Sequence, residues 1–246
     1  MSERIHALEP HFALAKPEGA SRTLKAVILL HGCGGRKPIM DNYAKAVTDA
    51  GAAALIVDSY AHRGIGRHVA YATVCTGARL QGRERAGDLY AAFAWLRAQP
   101  WCGPVIAAGW SHGSWTIMDA LTMESRREGE RATGIHDLPD EPLKDLAGAF
   151  LVYPYVGPGS LARRKRWRLT PETIAIVGGR DLIVGAKAPM QTLNDLRASG
   201  APIETHLFET ATHAFDEGDA KDLRVRYDPA LTARAEHLLT QLIERV

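Results

Sequence analysis

Residues 104–115 read PVIAAGWSHGSW, an apolar run that leads into the five residues GWSHG at 109–113. The run has the length and composition of a buried strand, and a helical pattern over 114–124 follows it. In a G-x-S-x-G pattern the serine sits on a sharp turn from strand to helix, and the glycines let the two elements approach. The stretch therefore predicts a strand–turn–helix unit that exposes Ser111 as a nucleophile. The alternative is a glycine-rich turn with an incidental serine.

Strand-length apolar runs occur along the whole chain, the one in this unit included, at 26–30, 53–57, 105–108, 149–152, 174–177 and 203–208. Most are apolar throughout, which is typical of strands buried on both faces of a parallel sheet. Helical patterns fill the intervals, at 41–50, 83–98, 114–124, 187–198 and 229–245. This alternation predicts a three-layer α/β fold, with a mostly parallel twisted sheet and helices on both faces. Residues 11–15 are expected to add an antiparallel edge strand.

Two segments interrupt the alternation. Residues 124–145 are charged and contain Gly134 and Pro139, which indicates an exposed helix end and a loop. Residues 156–171 contain a basic run at 163–168, which is typical of a solvated loop, with an anionic partner as the alternative. Neither segment is long enough for a large cap domain. We therefore expect a single domain over 1–246 with an open active site.

Length and charge restrict the function classes. The chain has 246 residues and a formal net charge of +2, which gives no reason to expect a nucleic-acid or membrane partner. No apolar run approaches the roughly 18 residues of a membrane span. The N-terminal residues are polar and lack the apolar core of a secretory signal. We therefore expect a cytoplasmic protein.

The three cysteines are Cys33, Cys75 and Cys102. Their spacing matches no metal-binding or redox pattern, so no metal and no cofactor are expected. A small, odd number of cysteines suits a reducing compartment, and free thiols are the favoured expectation. The alternative is a Cys33–Cys75 disulfide, since both residues could lie in loops on the same side of the sheet.

A second glycine-rich stretch, HGCGG at 31–35, follows the apolar run at 26–30. A serine nucleophile generates a tetrahedral oxyanion that needs preorganised backbone N–H donors. The pattern places one donor on His112, directly after the nucleophile, and the other on Cys33 in this loop. The alternatives are a plain turn or a phosphate-binding loop, although the P-loop lysine and the G-x-G-x-x-G spacing are missing.

The nucleophile also needs a base and a carboxylate that orients the base. Asp181 follows the apolar run at 174–177, and His213 follows the run at 203–208. Both positions lie beyond the carboxyl ends of predicted parallel strands, where the sites of α/β proteins form. The order of serine, acid and histidine predicts the triad Ser111, Asp181 and His213. The competing residues lie in a strand pattern, on the last helix or beside His213: His206, His237, Glu209 and Asp216.

Taken together, these stretches resemble the dienelactone hydrolase family of the α/β-hydrolase superfamily. The resemblance rests on HGCGG, on DSY at 58–60 with Arg63-Gly64, on GWSHG, on GGRD at 178–181 and on THAF at 212–215, and it covers nearly the whole domain. The namesake enzymes use cysteine in G-x-C-x-G and a glutamate in the loop after the early strand, where this chain has serine and glycine. The chain therefore resembles a serine-nucleophile variant of the family.

The resemblance implies a carboxylesterase or lactonase that acts on a small-molecule ester or lactone through an acyl-enzyme on Ser111. The same triad also serves peptide, thioester and acyl-transfer chemistry. An alternative of another class is a non-catalytic binding protein with a hydrolase-like fold, although such proteins typically lose a triad residue. A homodimer is an open alternative to a monomer.

Three further residues are candidates for binding the substrate. Arg63 follows the second parallel strand, where an arginine could bind a substrate carboxylate with two hydrogen bonds. We favour the alternative that Arg63 pairs with a helix acid such as Asp88, since ion pairs of that kind are common. Tyr60 and Tyr153 are candidates for the lining of the pocket. Trp115 is expected to pack under the helix that follows the nucleophile.

Overall fold

The computed structural model describes residues 1–19, 23–123 and 125–246. Seven strands form one sheet in the order β1-β3-β2-β4-β5-β6-β7, in which only the edge strand β1 is antiparallel to its neighbour. The strands are β1 (Phe12–Ala15), β2 (Leu24–Leu30), β3 (Ala53–Val57), β4 (Cys102–Trp110), β5 (Leu146–Val152), β6 (Glu172–Gly178) and β7 (Ile203–Phe208). All six apolar runs identified in the sequence therefore form parallel strands, and Phe12–Ala15, within the predicted 11–15, forms the antiparallel edge.

Helices cover both faces of the sheet. They are α1 (Ser2–Leu8), α2 (Ile39–Asp49), α3 (Arg67–Val69), α4 (Gly82–Arg97), α5 (His112–Thr122), α6 (Arg126–Thr133), α7 (Lys187–Ala198) and α8 (Pro229–Arg245). Buried side chains of α4, α5 and α7 pack on one face, and those of α2 and α8 pack on the other. Along each strand, alternate residues enter the two cores, because successive side chains point to opposite faces. The predicted three-layer α/β fold is confirmed.

The site lies where the direction of strand order reverses. From β2 the chain crosses to β3 on one side and then to β4 on the other, so β2 lies between them. Parallel pairing of β2 with β4 sets Leu30 beside Gly109, at the carboxyl ends of both strands. The loops after these two strands therefore meet at a topological switch point, which is where open α/β sheets bind ligands.

The segment 125–145 contains a helix that hydrophobic periodicity did not indicate. Helix α6 has no apolar stripe, and local contacts form it instead: the Ser125 hydroxyl accepts a hydrogen bond from the Glu128 N–H at 3.2 Å. Arg126 and Glu130 form an (i, i+4) ion pair at 2.8 Å, and Gly134 ends the helix with a φ of 70°. The expectation of only a helix end and a loop was therefore wrong here. Glu124, the predicted last residue of the preceding helix, lies outside the described residues.

Two other helical segments were also missed, α1 and the pair formed by α3 and a helical turn over Ala70–Val74. Residues 156–171 form bends and turns, and no large cap covers the site in the part of the chain that the structure describes. None of the helices in these described ranges is long and apolar enough to cross a membrane.

Candidate active site

Ser111 lies on the turn between β4 and α5, in a backbone conformation with φ 51° and ψ −105°. Such a conformation is strained for a residue with a side chain and is typical of functional sites. The flanking glycines make the turn sterically feasible. A Cβ on Gly113 would lie 2.0 Å from the Leu30 carbonyl oxygen, and one on Gly109 would lie 2.4 Å from the Gly113 carbonyl carbon. The close packing of β2, β4 and α5 therefore requires both glycines.

The three residues of the predicted triad form one hydrogen-bonded chain. The Ser111 Oγ lies 3.0 Å from His213 Nε2, and His213 Nδ1 lies 2.7 Å from Asp181 Oδ2. The three side chains come from the loops after β4, β6 and β7, and each is nearly inaccessible to solvent. A nucleophile, a base and an orienting carboxylate at these distances are arranged for proton transfer from the serine to the imidazole.

Asp181 is held by backbone groups of its own loop. Its Oδ1 accepts hydrogen bonds from the N–H groups of Ile183 at 2.8 Å and Val184 at 2.9 Å, which leaves Oδ2 for His213. Burial alone would raise the pKa of Asp181, but the hydrogen bond and charge of His213 and the two N–H donors lower it below its ordinary value. The carboxylate is therefore ionised and holds the His213 ring in the tautomer that leaves Nε2 free to accept a proton.

Asp216, a competing carboxylate in the sequence, lies behind the triad with other partners. Its Oδ2 accepts hydrogen bonds from the Tyr43 hydroxyl at 2.9 Å and Trp110 Nε1 at 3.1 Å. Its Oδ1 accepts one from the Tyr153 hydroxyl at 2.8 Å. Burial raises the pKa of Asp216 to about 6. The ring of Tyr153 packs against His213 with centroids 4.7 Å apart, so Asp216 is linked to His213 through Tyr153, whereas Asp181 bonds to Nδ1 of His213 directly.

The two amides expected to form the oxyanion hole border the same cavity as the nucleophile. Cys33 and His112 both line it together with Ser111. Among the described residues, neither amide N–H has a hydrogen-bond acceptor. His112 opens α5, and the first N–H groups of a helix have no acceptor within it. Their role as oxyanion donors stays a prediction.

Tyr60 and Arg63 are not among the described residues that line the cavity. The Tyr60 hydroxyl donates a hydrogen bond to the Cys33 carbonyl oxygen at 2.9 Å. Arg63 forms two hydrogen bonds with the Asp88 carboxylate, both 2.8 Å long. A fully buried carboxylate needs a cationic partner, and Arg63 supplies it. The favoured pairing of Arg63 with Asp88 is therefore the one observed, and a role of Arg63 in binding substrate stays a prediction. Tyr153 does line the cavity.

The expectation of free Cys33 and Cys75 thiols is wrong, since these residues form a disulfide. The helical segment from α3 to Val74 folds back over the HGCGG loop and brings the two Cα atoms within 5.1 Å, a separation that a disulfide spans. Sequence spacing could not show this approach, because 42 residues separate the two cysteines. Cys102 is a free cysteine.

Arg85 is a site residue that sequence reasoning missed. It is fully buried in the first turn of α4, and its guanidinium reaches the loops on both sides of the switch point. The signal was present in the sequence. Arg85 precedes Leu89, Phe93 and Leu96 on the buried stripe of the same helix, at helical spacing. A charged residue at an apolar position of this kind is a candidate for a structural or functional role.

The cavity above Ser111 has a volume of about 560 Å³ and combines an apolar wall with charged groups. The wall includes aromatic and branched side chains: Tyr71, Val74, Trp115, Tyr155, Ile183, Val184 and Val225. Lys37 and Glu217 form an ion pair at its border. A space of this size and mixed lining is typical of sites for small organic molecules.

Comparisons with known proteins identify the family and the fold of the chain. Residues 12–246 match the dienelactone hydrolase family. The fold is similar to that of dienelactone hydrolase from Anabaena variabilis, with 20% sequence identity, a TM-score of 0.63 and coverage of 95% of this chain and 90% of that chain. It is also similar to a dienelactone hydrolase-like promiscuous phosphotriesterase from metagenomic libraries, with 19% identity, a TM-score of 0.66 and coverage of 95% and 91%.

A third similar structure is esterase 2 of Thermogutta terrifontis phosphonylated by cyclosarin, with 15% identity, a TM-score of 0.71 and coverage of 95% of this chain and 88% of that chain. At these identities the likeness shows the α/β-hydrolase fold. The sequence has no significant match among curated proteins.

Proposed function

Because the chain belongs to the dienelactone hydrolase family, a family of hydrolases, we propose that it is a serine hydrolase that cleaves a carboxylic ester or lactone. The observation that carries the proposal is the continuous hydrogen-bonded chain from Ser111 through His213 to Asp181. All three residues fall within the matched range of 12–246.

The proposed mechanism begins with proton transfer from the Ser111 hydroxyl to His213 Nε2 as Oγ attacks the carbonyl carbon. The C=O π electrons move to the oxygen, and the amides of Cys33 and His112 donate hydrogen bonds to this oxyanion. Collapse of the tetrahedral intermediate releases the alkoxide, which takes the proton from His213. Water then attacks the acyl-enzyme by the same route, and the carboxylic acid leaves.

Two observations support a small ester or lactone as the substrate. The cavity of about 560 Å³ accommodates a small organic molecule next to Ser111, with an apolar wall for its hydrocarbon part. Two of the similar structures are described as an esterase and as a dienelactone hydrolase. Thioester hydrolysis, peptide hydrolysis and acyl transfer use the same kind of triad. Assays with the corresponding substrates distinguish these reactions from ester hydrolysis.

The test combines a fluorophosphonate probe with a panel of p-nitrophenyl esters and lactones of graded size. We expect labelling of the wild type, no labelling of Ser111→Ala and a fall in kcat of about 10⁶-fold in that variant. Ser199→Ala, at the end of α7 and outside the site, is the matched control and should behave as the wild type. An active Ser111→Ala variant would refute the assignment, and folded wild type that resists labelling would favour a binding protein.

A further inference from the structure

Arg85 joins the two loops from which the oxyanion donors come. Its Nη1 donates hydrogen bonds to the carbonyl oxygen of His31 at 2.7 Å and to Nδ1 of His112 at 3.0 Å. Its Nε donates to the Ser59 hydroxyl at 2.8 Å. A single guanidinium nitrogen therefore ties the HGCGG loop, which carries Cys33, to the residue that follows the nucleophile.

The ring of His112 is fixed on both sides. Its Nε2 donates to the Leu80 carbonyl oxygen at 2.8 Å, so Nδ1 is the acceptor for Arg85. Burial lowers the pKa of His112 to about 3, with the charge of Arg85 as the second cause, and the ring is therefore neutral. A neutral ring in one tautomer anchors the first residue of α5, whose amide borders the cavity.

The Cys33 amide is oriented through His31. Nδ1 of His31 donates to the Gly32 carbonyl oxygen at 2.7 Å, and Nε2 accepts a hydrogen bond from the Ser59 N–H at 3.3 Å. The Gly32 carbonyl and the Cys33 N–H belong to the same planar trans peptide, so fixing one fixes the direction of the other. Arg85 holds both ends of this arrangement, at the His31 carbonyl and at the Ser59 hydroxyl.

Within the described ranges, no carboxylate forms an ion pair with the Arg85 guanidinium. The nearby Asp88 pairs with Arg4 and Arg63, and among the described residues no ion pair includes Arg85. Its Nη2 is buried and has no hydrogen-bond partner in the same described part of the chain. Burial of a cation without an anion is unfavourable. Beside an oxyanion hole, however, such a fixed charge stabilises the negative charge that appears only during the reaction.

We propose that Arg85 is a positioning residue that holds the amides of Cys33 and His112 in one rigid frame and adds positive potential behind the oxyanion hole. This inference rests on the proposed function, since it assumes that Ser111 attacks a carbonyl carbon. Arg85 itself does not contact the substrate and acts through His31 and His112.

The experiment compares Arg85→Met and Arg85→Lys with the wild type, using kcat, KM and two matched inhibitors. A trifluoromethyl ketone forms a hemiketal oxyanion on a serine, whereas the methyl ketone of the same skeleton binds as a ground-state analogue. For Arg85→Met we expect kcat and trifluoromethyl ketone affinity to fall by about 10²-fold, with KM and methyl ketone affinity within about twofold. For Arg85→Lys we expect kcat and trifluoromethyl ketone affinity to fall by about tenfold, since lysine keeps the charge but not the planar fork of donors.

Arg4→Gln is the matched control, because it removes another arginine from the same buried group but contacts neither loop. It should be less stable than the wild type, with unchanged kcat and inhibitor affinities per folded molecule. Fluorophosphonate titration of active sites provides that normalisation.

The proposal is overturned if Arg85→Met and Arg85→Lys lose affinity for both ketones equally, or if their kcat per titrated site equals that of the wild type. If Arg85→Met does not fold, Arg85→Lys decides alone: wild-type kcat and an unchanged ratio of ketone affinities refute the positioning role. If the proposed function is wrong, the result is different: the fluorophosphonate probe does not label Ser111 in the wild type. Failure of this inference leaves the wild type active and appears only in the Arg85 variants.

Discussion

The two sides of the active site are built in different ways. On the acid–base side, Asp181 follows the end of β6 directly, and its Oδ1 is held by N–H groups only two and three residues further along the chain. On the oxyanion side, the contacts span long distances in sequence. Arg85 is 54 residues from His31, and the disulfide joins Cys33 of the HGCGG loop to Cys75, which is 42 residues away.

This difference predicts different responses to mutation. Loop geometry that is held by neighbouring backbone groups survives the loss of a side-chain charge, so changes on the acid–base side should affect chemistry more than stability. Side chains that hold a loop from a distant part of the sequence also join separate parts of the fold. Changes on the oxyanion side should therefore affect chemistry and stability together. The three predictions below test this contrast.

The largest effect is expected for Asp181→Asn. The amide keeps an acceptor for the Ile183 and Val184 N–H groups but no longer holds His213 in the reactive tautomer, so kcat should fall by about 10⁴-fold. The free energy of unfolding should change little, because the loop contacts remain. Steady-state kinetics and urea unfolding measure the two quantities, with the exposed Asp195→Asn on α7 as the control. A loss of kcat below tenfold would mean that another carboxylate orients the base.

The second-largest effect is expected from removing the disulfide. Cys75→Ser opens a crosslink between residues 42 positions apart, and chain entropy then predicts a loss of about 4 kcal/mol in the free energy of unfolding. Because the proposed mechanism uses the Cys33 amide as an oxyanion donor, kcat should also fall. Cys102→Ser changes the free cysteine and should leave both quantities unchanged. Equal unfolding curves for Cys75→Ser and the wild type would show that the crosslink does not stabilise the oxyanion side.

The smallest effect is expected for Asp216, a long-range support on the acid–base side. Burial raises its pKa to about 6 from an unfolded value of about 3.9, so the folded state binds its proton more tightly than the unfolded chain. Its contribution to stability is therefore present below the unfolded pKa and is lost as pH rises through about 6. Between pH 4 and pH 7 the loss should be about 2 kcal/mol.

Urea unfolding of wild type and Asp216→Asn across that pH range measures this contribution as the pH-dependent part of their difference. Since the asparagine does not titrate, the stability advantage of the wild type should shrink as pH rises. A difference that stays constant with pH would show that Asp216 is ionised throughout, with a pKa near its ordinary value.

Much of the fold could be predicted from local patterns. The runs at 26–30 and 174–177 are uniformly apolar and form interior strands of the sheet, because strands with two buried faces cannot expose polar side chains. Helix α6 was missed, since its cap and charge pairs leave no periodic apolar signal. The α3 segment was missed because it packs mainly on its own small cluster around Tyr60, Ile65 and Leu80.

Local patterns were enough to predict the parallel sheet and the positions of Ser111, Asp181 and His213, because each of these residues follows a strand marked by a run of consecutive apolar side chains. The folded structure was needed to establish the Cys33–Cys75 disulfide, the pairing of Arg63 with Asp88 and the place of Arg85 between two loops. These contacts depend on how β2, β4 and α4 pack against one another. Residues far apart in the chain carry no local pattern that reports their contact. Sequence patterns could therefore name Cys33 and His112 as candidate oxyanion donors, but not the distant side chains that hold their loops.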